Sequence, residues 1–258
     1  MDFWTILIAV SGSFIAGLIN TLAGNGSAIT LTILTEVLGL PGNLANGTNR
    51  VGVFTQTAAS TYGFYRNGKL DINNRKVHII SAVIGAIIGT ILATQISNEQ
   101  FRHVFRFLMV FMLLVILVKP ARWLRETNEE ILPSNWIIIP LFLALGFYGG
   151  FIQMGMGIFF LAATVLGARL SLLDANILKS VVIAILTIPV IIIFHLRGLI
   201  DWRYGMLMAV GQTMGGYIMA HWASRFPGAN KWAYRLLIVM VILAIIKLFD
   251  LHLLLLKS

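Results

Sequence analysis

The stretch Gly24-Asn25-Gly26-Ser27 interrupts an apolar run that extends from Phe3 to Leu40. About 20 apolar residues cross the hydrocarbon core of a bilayer, so residues 3–22 are long enough to cross it and residues 28–40 are not. Two glycines around an asparagine end one helix, and the serine can cap the next. An opened backbone is tolerated at membrane depth only where protein or a polar cavity surrounds it. The stretch predicts either the floor of a binding site or a tight turn between two ordinary spans.

A second glycine-rich interruption lies at residues 146–157. It contains one amide side chain, Gln153, and ends in Gly155-Met156-Gly157, before a short apolar run to Leu166. Short, glycine-interrupted segments at corresponding places in two halves are the best sequence indication of a transporter's substrate site. The repetition therefore favours the binding-site interpretation of both breaks.

The composition is that of a polytopic α-helical membrane protein, because 58% of the residues are hydrophobic, 11% are charged and the mean hydropathy is +0.88. The apolar runs are continuous, without the alternation of a transmembrane barrel. There is no cysteine and the five histidines are scattered, so we expect neither a metal site nor a cofactor. The net charge of +9 arises largely between the apolar runs, which indicates orienting loops and no nucleic-acid partner.

The chain divides into two series of apolar segments. The sequence predicts a first transmembrane repeat over residues 1–118, a cytoplasmic linker over 119–135 and a second transmembrane repeat over 136–258. The predicted segments are 3–22, 28–40, 45–65, 77–96 and 101–118 in the first series, and 136–153, 158–168, 171–196, 203–223 and 232–249 in the second.

The two series are related by a constant shift of 130 residues, which places Asn46 on Asn176, Gly68 on Gly198 and Gly85 on Gly215. Five segments is an odd number, so the second repeat has to be inverted in the membrane. The predicted fold class is an all-α membrane protein of two inverted five-segment repeats, with short glycine-broken helix pairs and about 8–10 transmembrane segments. The first segments of each repeat either span or re-enter.

The distribution of basic residues predicts an N-terminus outside the cell. With that orientation the loops at 66–78, 119–134 and 225–235 lie inside, and they carry most of the loop lysines and arginines. This asymmetry has the sign of the positive-inside rule.

Several motifs identify a family resemblance. Ala16-Gly17 before Gly24-Asn25-Gly26, Leu38-Gly39-Leu40-Pro41 followed by Ala45-Asn46-Gly47-Thr48, and the recurrence at 146–157 resemble the sulfite exporter TauE/SafE family of membrane permeases. The resemblance covers essentially the whole chain. It implies the transport of small sulfur-containing or carboxylate anions, typically sulfite or organosulfonates, across the bacterial inner membrane.

The candidate site combines the backbone of the two breaks with amides, hydroxyls and two intramembrane cations. Helix N-termini and uncharged donors can bind an oxyanion without a fixed charge, but close packing and interhelical hydrogen bonds would use the same residues. The predicted substrate-binding residues are Asn20, Gly24, Asn25, Gly26, Ser27, Asn46, Thr48, Asn49, Arg50, Gln153, Gly155, Gly157, Asn176 and Lys179.

Three of the charged residues within the apolar segments are candidates for function, namely Glu36, Arg50 and Lys179. Intramembrane charges are functional by default, and we expect Lys179 to draw an anion to the site. For Arg50 we expect the side chain to snorkel to an interface. Glu36 either binds a coupling proton or lies at the wet end of its short segment, and we favour the wet end.

The predicted function is a secondary transporter of small anions, and not an enzyme. The five aspartates lie at segment ends, so no Asp–Asp or Ser–His pair for intramembrane proteolysis is indicated, and no nucleotide-binding loop indicates a pump. The first alternative is a passive anion channel, and the second is a non-transport intramembrane enzyme. The expected partners are a small anionic substrate, membrane lipid and a coupling proton or sodium ion. Direction, coupling ion and oligomeric state stay open.

Overall fold

The computed structural model describes residues 3–70, 75–95, 134–167 and 170–248, and it has no strand in these ranges. The helices are α1 (Phe3–Ala23), α2 (Gly26–Thr32), α3 (Gly42–Arg66), α4 (Lys76–Ala93), α5 (Asn135–Phe151), α6 (Met156–Ala162), α7 (Leu172–Leu196), α8 (Trp202–Arg225) and α9 (Ala229–Leu248). π-Helical turns at Ile33–Val37 and Ala163–Gly167 extend α2 and α6. The predicted segment 101–118 and nearly all of the linker 119–135 lie outside the described residues.

The described helices occur where the apolar runs predict them. Side chains cap three of them: Ser134 accepts from the backbone N–H of Trp136, Ser171 from that of Asp174, and Asp201 from that of Tyr204. Three helices, α1, α4 and α7, are both long and apolar enough to cross a membrane. Helices α3 and α8 are also long, at 25 and 24 residues, but carry more polar side chains.

The two series of elements repeat one another closely. Helices α3 and α7 are both 25 residues long, and the two π-helical turns are each five residues long. Helices α3 and α7 begin 130 residues apart, and so do the two π-helical turns. The same shift places Gly68 on Gly198, and both glycines have a φ of +66°. Local conformation is thus the same at these pairs of positions.

Packing between the series is reciprocal. Helix α1 packs along α8, and α5 packs along α4, so the first helix of each series contacts the fourth of the other. In both pairs glycine permits backbone contact: Gly215 lies against the carbonyl oxygen of Phe14, and Gly85 against that of Leu143. Helices α3 and α7 also pack together, and they run antiparallel, since Gly47 contacts Phe194 while Phe64 lies in one cluster with Ile177.

Many polar side chains are buried within the apolar core, and many apolar side chains are exposed, as in a protein solvated by lipid. Exposed Ile80, Ile84 and Ile88 form a stripe on α4, and Val210, Met214 and Ile218 form the corresponding stripe on α8. The interior contains amides, hydroxyls and the two cations Arg50 and Lys179. The described surface therefore suits hydrocarbon, and the described core suits a polar function.

Candidate functional site

The two glycine breaks lie against each other. A Cβ atom on Gly24 would lie 2.4 Å from the carbonyl carbon of Gly157, and one on Gly157 would lie 2.4 Å from the Cα of Gly24. Gly24 also has a φ of +74°, which favours glycine. The non-helical backbone is confined to residues 24–25 in the first break and 152–155 in the second, and the backbones of Gly24 and Gly157 are in direct contact.

Lys179, which lies on α7, binds the carbonyl oxygens at the end of α1. Its side chain is 1% exposed, and its ammonium group donates to the carbonyl oxygens of Asn20 (2.7 Å) and Thr21 (3.0 Å) and to the side-chain oxygen of Asn176. The amide of Asn176 donates to the carbonyl oxygen of Leu22 at 3.0 Å. The last carbonyls of a helix have no partner within the helix and carry the negative end of its dipole. A lysine beside an asparagine therefore closes the end of α1 immediately before the first break.

Arg50, which lies on α3, binds the carbonyl oxygens at the end of α5 in the same way. It is completely buried, so the expectation that it snorkels to an interface was wrong. Its guanidinium donates to the carbonyl oxygens of Gly149 and Gly150 and to the side-chain oxygens of Gln153 and Asn46. Burial without a carboxylate is possible because four oxygens surround it, and its carbon Cζ also lies 5.4 Å from the centre of the Phe194 ring.

The two cations form a reciprocal pair of clamps, which we call the crossed clamps (Arg50 on the end of α5, Lys179 on the end of α1). Each clamp residue belongs to one series and holds the broken helix of the other. Each is also supported by an asparagine, Asn46 or Asn176, that the shift of 130 residues superposes. This arrangement links residues 100 and 158 positions apart in the chain.

Asn20 belongs to a separate polar network that joins α1 to α3. Its amide donates to the side-chain oxygen of Gln56 at 2.7 Å, and the amide of Gln56 donates to the hydroxyl oxygens of Thr21 (2.9 Å) and Ser60 (3.0 Å). Every described polar atom of the Gln56 side chain has a partner. This network fixes where α1 ends relative to α3.

The remaining predicted residues are buried near these groups, with different partners. Thr48 accepts from the backbone N–H of Asp201 at 2.9 Å and so anchors the turn between α7 and α8. Asn49 accepts from the hydroxyl of Thr30 at 2.6 Å, which joins α3 to α2. Buried residues at the two breaks are Asn25, Gly26, Ser27 and Gly155.

Three buried donors in this region have no acceptor among the described residues: Nδ2 of Asn49, Nε of Arg50 and Nε2 of Gln212. Asn49 and Arg50 are adjacent on α3. Gln212 extends from α8 over Gly52, one turn further along α3, into the space that a Cβ would fill. We call these three residues the open donor cluster. A buried donor without an acceptor is uncommon in a folded protein, and one explanation is an absent ligand or water.

Sequence reasoning missed Gln212. It is an amide within an apolar segment, which is also true of Gln56, and the two differ only in what they contact. A usable signal was present, since Gly211 and Gly215 indicate that this face of α8 packs closely against neighbouring helices.

Glu36 lies at an exposed position, where its carboxylate accepts from the hydroxyl of Thr35. Within the described ranges, no group of three or more histidine, aspartate and glutamate side chains could hold a metal ion. The described buried polar residues include two cations and no carboxylate.

The sequence of this chain is similar to a family of known proteins. Residues 9–248 match the family model described as Sulfite exporter TauE/SafE. The chain belongs to the TauE/SafE family. It is 27% identical over 252 residues to "Probable membrane transporter protein ORF9" of Sinorhizobium sp, covering 97% of this chain and 95% of that protein. It is 25% identical over 207 residues to "Probable membrane transporter protein YfcA" of Escherichia coli strain K12, covering 79% and 75%. No solved structure matches the chain significantly.

Membership of the TauE/SafE family makes this chain a membrane transporter, in agreement with the sequence prediction that it is not an enzyme. The crossed clamps and the open donor cluster therefore lie in the buried core of a membrane transporter.

Proposed function

We propose that the protein is a secondary transporter of small oxyanions, such as sulfite, organosulfonates or related carboxylates, and that the anion binds beside the open donor cluster. The observation that carries the proposal is the set of three buried donors, on Asn49, Arg50 and Gln212, that have no acceptor among the described residues. An anion supplies acceptor oxygens and no donors, which is what such a set requires. Hydrogen bonds to a charged group contribute about 1.5–3 kcal/mol each.

The charge of the described core supports an anion over a cation. Arg50 and Lys179 are buried, whereas none of the described aspartates and glutamates is. A buried region of one sign attracts ligands of the opposite sign, and it does so strongly where water is excluded. The ammonium group of Lys179 is occupied by three oxygens. In the proposal Lys179 therefore contributes its field and the position of α1, while the open donor cluster contributes direct contacts.

A carrier mechanism has more support than an open channel. The breaks are closed by direct contact between Gly24 and Gly157, and no continuous pore can pass between those backbones. The superposable helices α3 and α7 run antiparallel, which supports two inverted repeats that move against each other. The proposal places the protein in the bacterial inner membrane with its N-terminus outside, on the basis of the loop charges.

A matched pair of glutamine variants tests the proposal. Gln212→Met removes a donor that has no protein acceptor, so stability should stay the same or rise while anion transport falls. We expect a loss of about tenfold to hundredfold in affinity for sulfite or a sulfonate. Gln56→Met is the control, because that amide is fully bonded; it should lower the free energy of unfolding by about 1–3 kcal/mol.

The measurements are thermal unfolding of the purified protein and uptake of sulfite, sulfonates and carboxylates into proteoliposomes. Saturable, gradient-driven uptake would separate a carrier from a channel. Affinity within twofold of wild type in Gln212→Met, together with unchanged stability, would mean that no substrate uses this donor.

A further inference from the structure

A groove lies at the end of the bundle where α3 and α8 both finish, far along α8 from Gln212. Its volume is about 440 Å³, and it is lined by Tyr217, Ile218, His221, Trp222, Arg225 and Phe226. None of these residues belongs to the crossed clamps or the open donor cluster. The groove is therefore distinct from the proposed transport site.

One residue of α3's C-terminal turn orients the polar groups of the groove. The side-chain oxygen of Asn67 accepts from Nε of Arg225 at 2.9 Å, and its amide donates to the carbonyl oxygen of Gly63 at 2.7 Å. The same amide lies 3.1 Å from Nδ1 of His221. Because the amide is the donor, Nδ1 accepts and the ring proton lies on Nε2. Asn67 thus fixes a guanidinium and an imidazole donor side by side.

This end of the bundle is strongly basic. Arg66, Lys69, Arg225 and Lys231 are all exposed there. Residues 60–70 and 217–235 contain no acidic residue. The start of α7 also lies at this end and carries one carboxylate, Asp174, which accepts from the hydroxyl of Ser171. The positive-inside rule predicts that this end is cytoplasmic, where the membrane surface is negatively charged.

The walls of the groove suit the boundary between headgroups and acyl chains. Trp222 and Phe226 stack with ring centres 4.6 Å apart, and each is 38% exposed. Tyr217 stacks between Tyr62 and His221, with ring centres 6.2 Å from each. Aromatic rings of this kind concentrate at membrane interfaces. Ile218, on the lipid-facing stripe of α8, continues the apolar wall towards the hydrocarbon core.

We propose that this groove binds the phosphate headgroup of an anionic phospholipid, with Arg225 and His221 on the phosphate and the aromatic rings along the upper acyl chain. Charge complementarity selects an anionic lipid over a zwitterionic one. The apolar walls select a lipid over free phosphate. The inference does not depend on which substrate the transporter carries.

Native mass spectrometry of the purified protein tests the proposal with two probes, phosphatidylglycerol and phosphatidylcholine of identical acyl chains. The wild type should retain phosphatidylglycerol preferentially. An arginine near the membrane surface contributes roughly a fivefold effect on binding, so Arg225→Gln should reduce the preference by about that factor. Arg225→Lys should keep most of it, because the charge remains. The matched control is Arg203→Gln, an exposed arginine at the other end of α8, which should leave the preference unchanged.

Several results would overturn the proposal. Equal retention of the two lipids by the wild type would show that the groove does not select an anionic lipid. A preference for phosphatidylglycerol that survives both Arg225→Gln and Asn67→Ala would show that these residues do not bind its phosphate. Displacement of phosphatidylglycerol by millimolar inorganic phosphate would make the groove a site for the free ion. A dimer lost on Phe226→Ala would make its occupant a second copy of the chain. Monodisperse elution of Arg225→Gln at the wild-type volume would show that its loss of preference does not come from misfolding.

Discussion

Gly24→Ala perturbs the contact between the two breaks in two ways. The residue has a φ of +74°, and a non-glycine residue in the left-handed region costs about 1–2 kcal/mol. The new methyl group would also lie 2.4 Å from the backbone of Gly157, where the neighbour cannot rotate away as a side chain would. Overpacking of this kind costs about 1–3 kcal/mol. The expected total is about 2–5 kcal/mol, with separation of the two breaks and loss of transport.

Gly39→Ala is the control that isolates the contact. Gly39 has nearly the same φ, +69°, but a Cβ there would have no neighbour within 4 Å. Both variants carry the backbone strain, and only Gly24→Ala carries the overlap. In thermal unfolding of the purified proteins we expect Gly24→Ala to melt roughly 2–12 °C below Gly39→Ala. Proteoliposome uptake should persist in Gly39→Ala. Equal melting temperatures and equal uptake in the two variants would show that neither stability nor transport requires the close contact between Gly24 and Gly157.

Other predictions concern the crossed clamps and the topology. Lys179→Met should lower the melting temperature, because the carbonyl of Thr21 loses its donor at a cost of about 1–3 kcal/mol; an unchanged or higher value would show that the clamp is not needed for stability. Arg50→Lys should be less harmful in the same assay than Arg50→Met, since a lysine performs the corresponding role in the other half; equal losses would contradict this. Cysteines at Asn73 and Gly198 should be labelled only from the cytoplasm and only from outside, respectively. Labelling from one common side would exclude an inverted repeat.

The sequence predicted the described helices well because a helix that crosses a bilayer requires a long apolar run, which can be read directly from the residues. The predicted segments 45–65 and 171–196 correspond to α3 and α7, and the breaks lie at the predicted glycines. The π-helical turns at Ile33–Val37 and Ala163–Gly167 were not predicted. Their sequences carry no signal that separates a π-helical turn from an α-helical one, and the widened turn is visible only in the hydrogen bonds.

Site chemistry was harder to predict because it depends on contacts between distant parts of the chain. Arg50 near the start of a segment suggests snorkelling when only its own helix is considered, but the end of α5 supplies acceptors inside the protein. Lys179 was singled out as a cation within an apolar segment and is buried in the structure, but its three oxygen partners could not be read from spacing. The role of the predicted residues in substrate binding stays a prediction.

The crossed clamps have a consequence for biogenesis. During translation Arg50 is made before its acceptor, the carbonyl of Gly150, which lies 100 residues later in the chain. The carbonyl of Thr21 is likewise made before its donor, Lys179, which lies 158 residues later. At roughly 5–20 residues per second, translation separates the members of these pairs by about 5–32 s. During that interval the guanidinium of Arg50 has only one of its acceptors, the side-chain oxygen of Asn46, and the end of α1 lacks the ammonium group of Lys179. A nascent chain stopped between the halves should therefore resemble an orphan subunit, and membrane quality control should degrade it unless the missing half is supplied in trans.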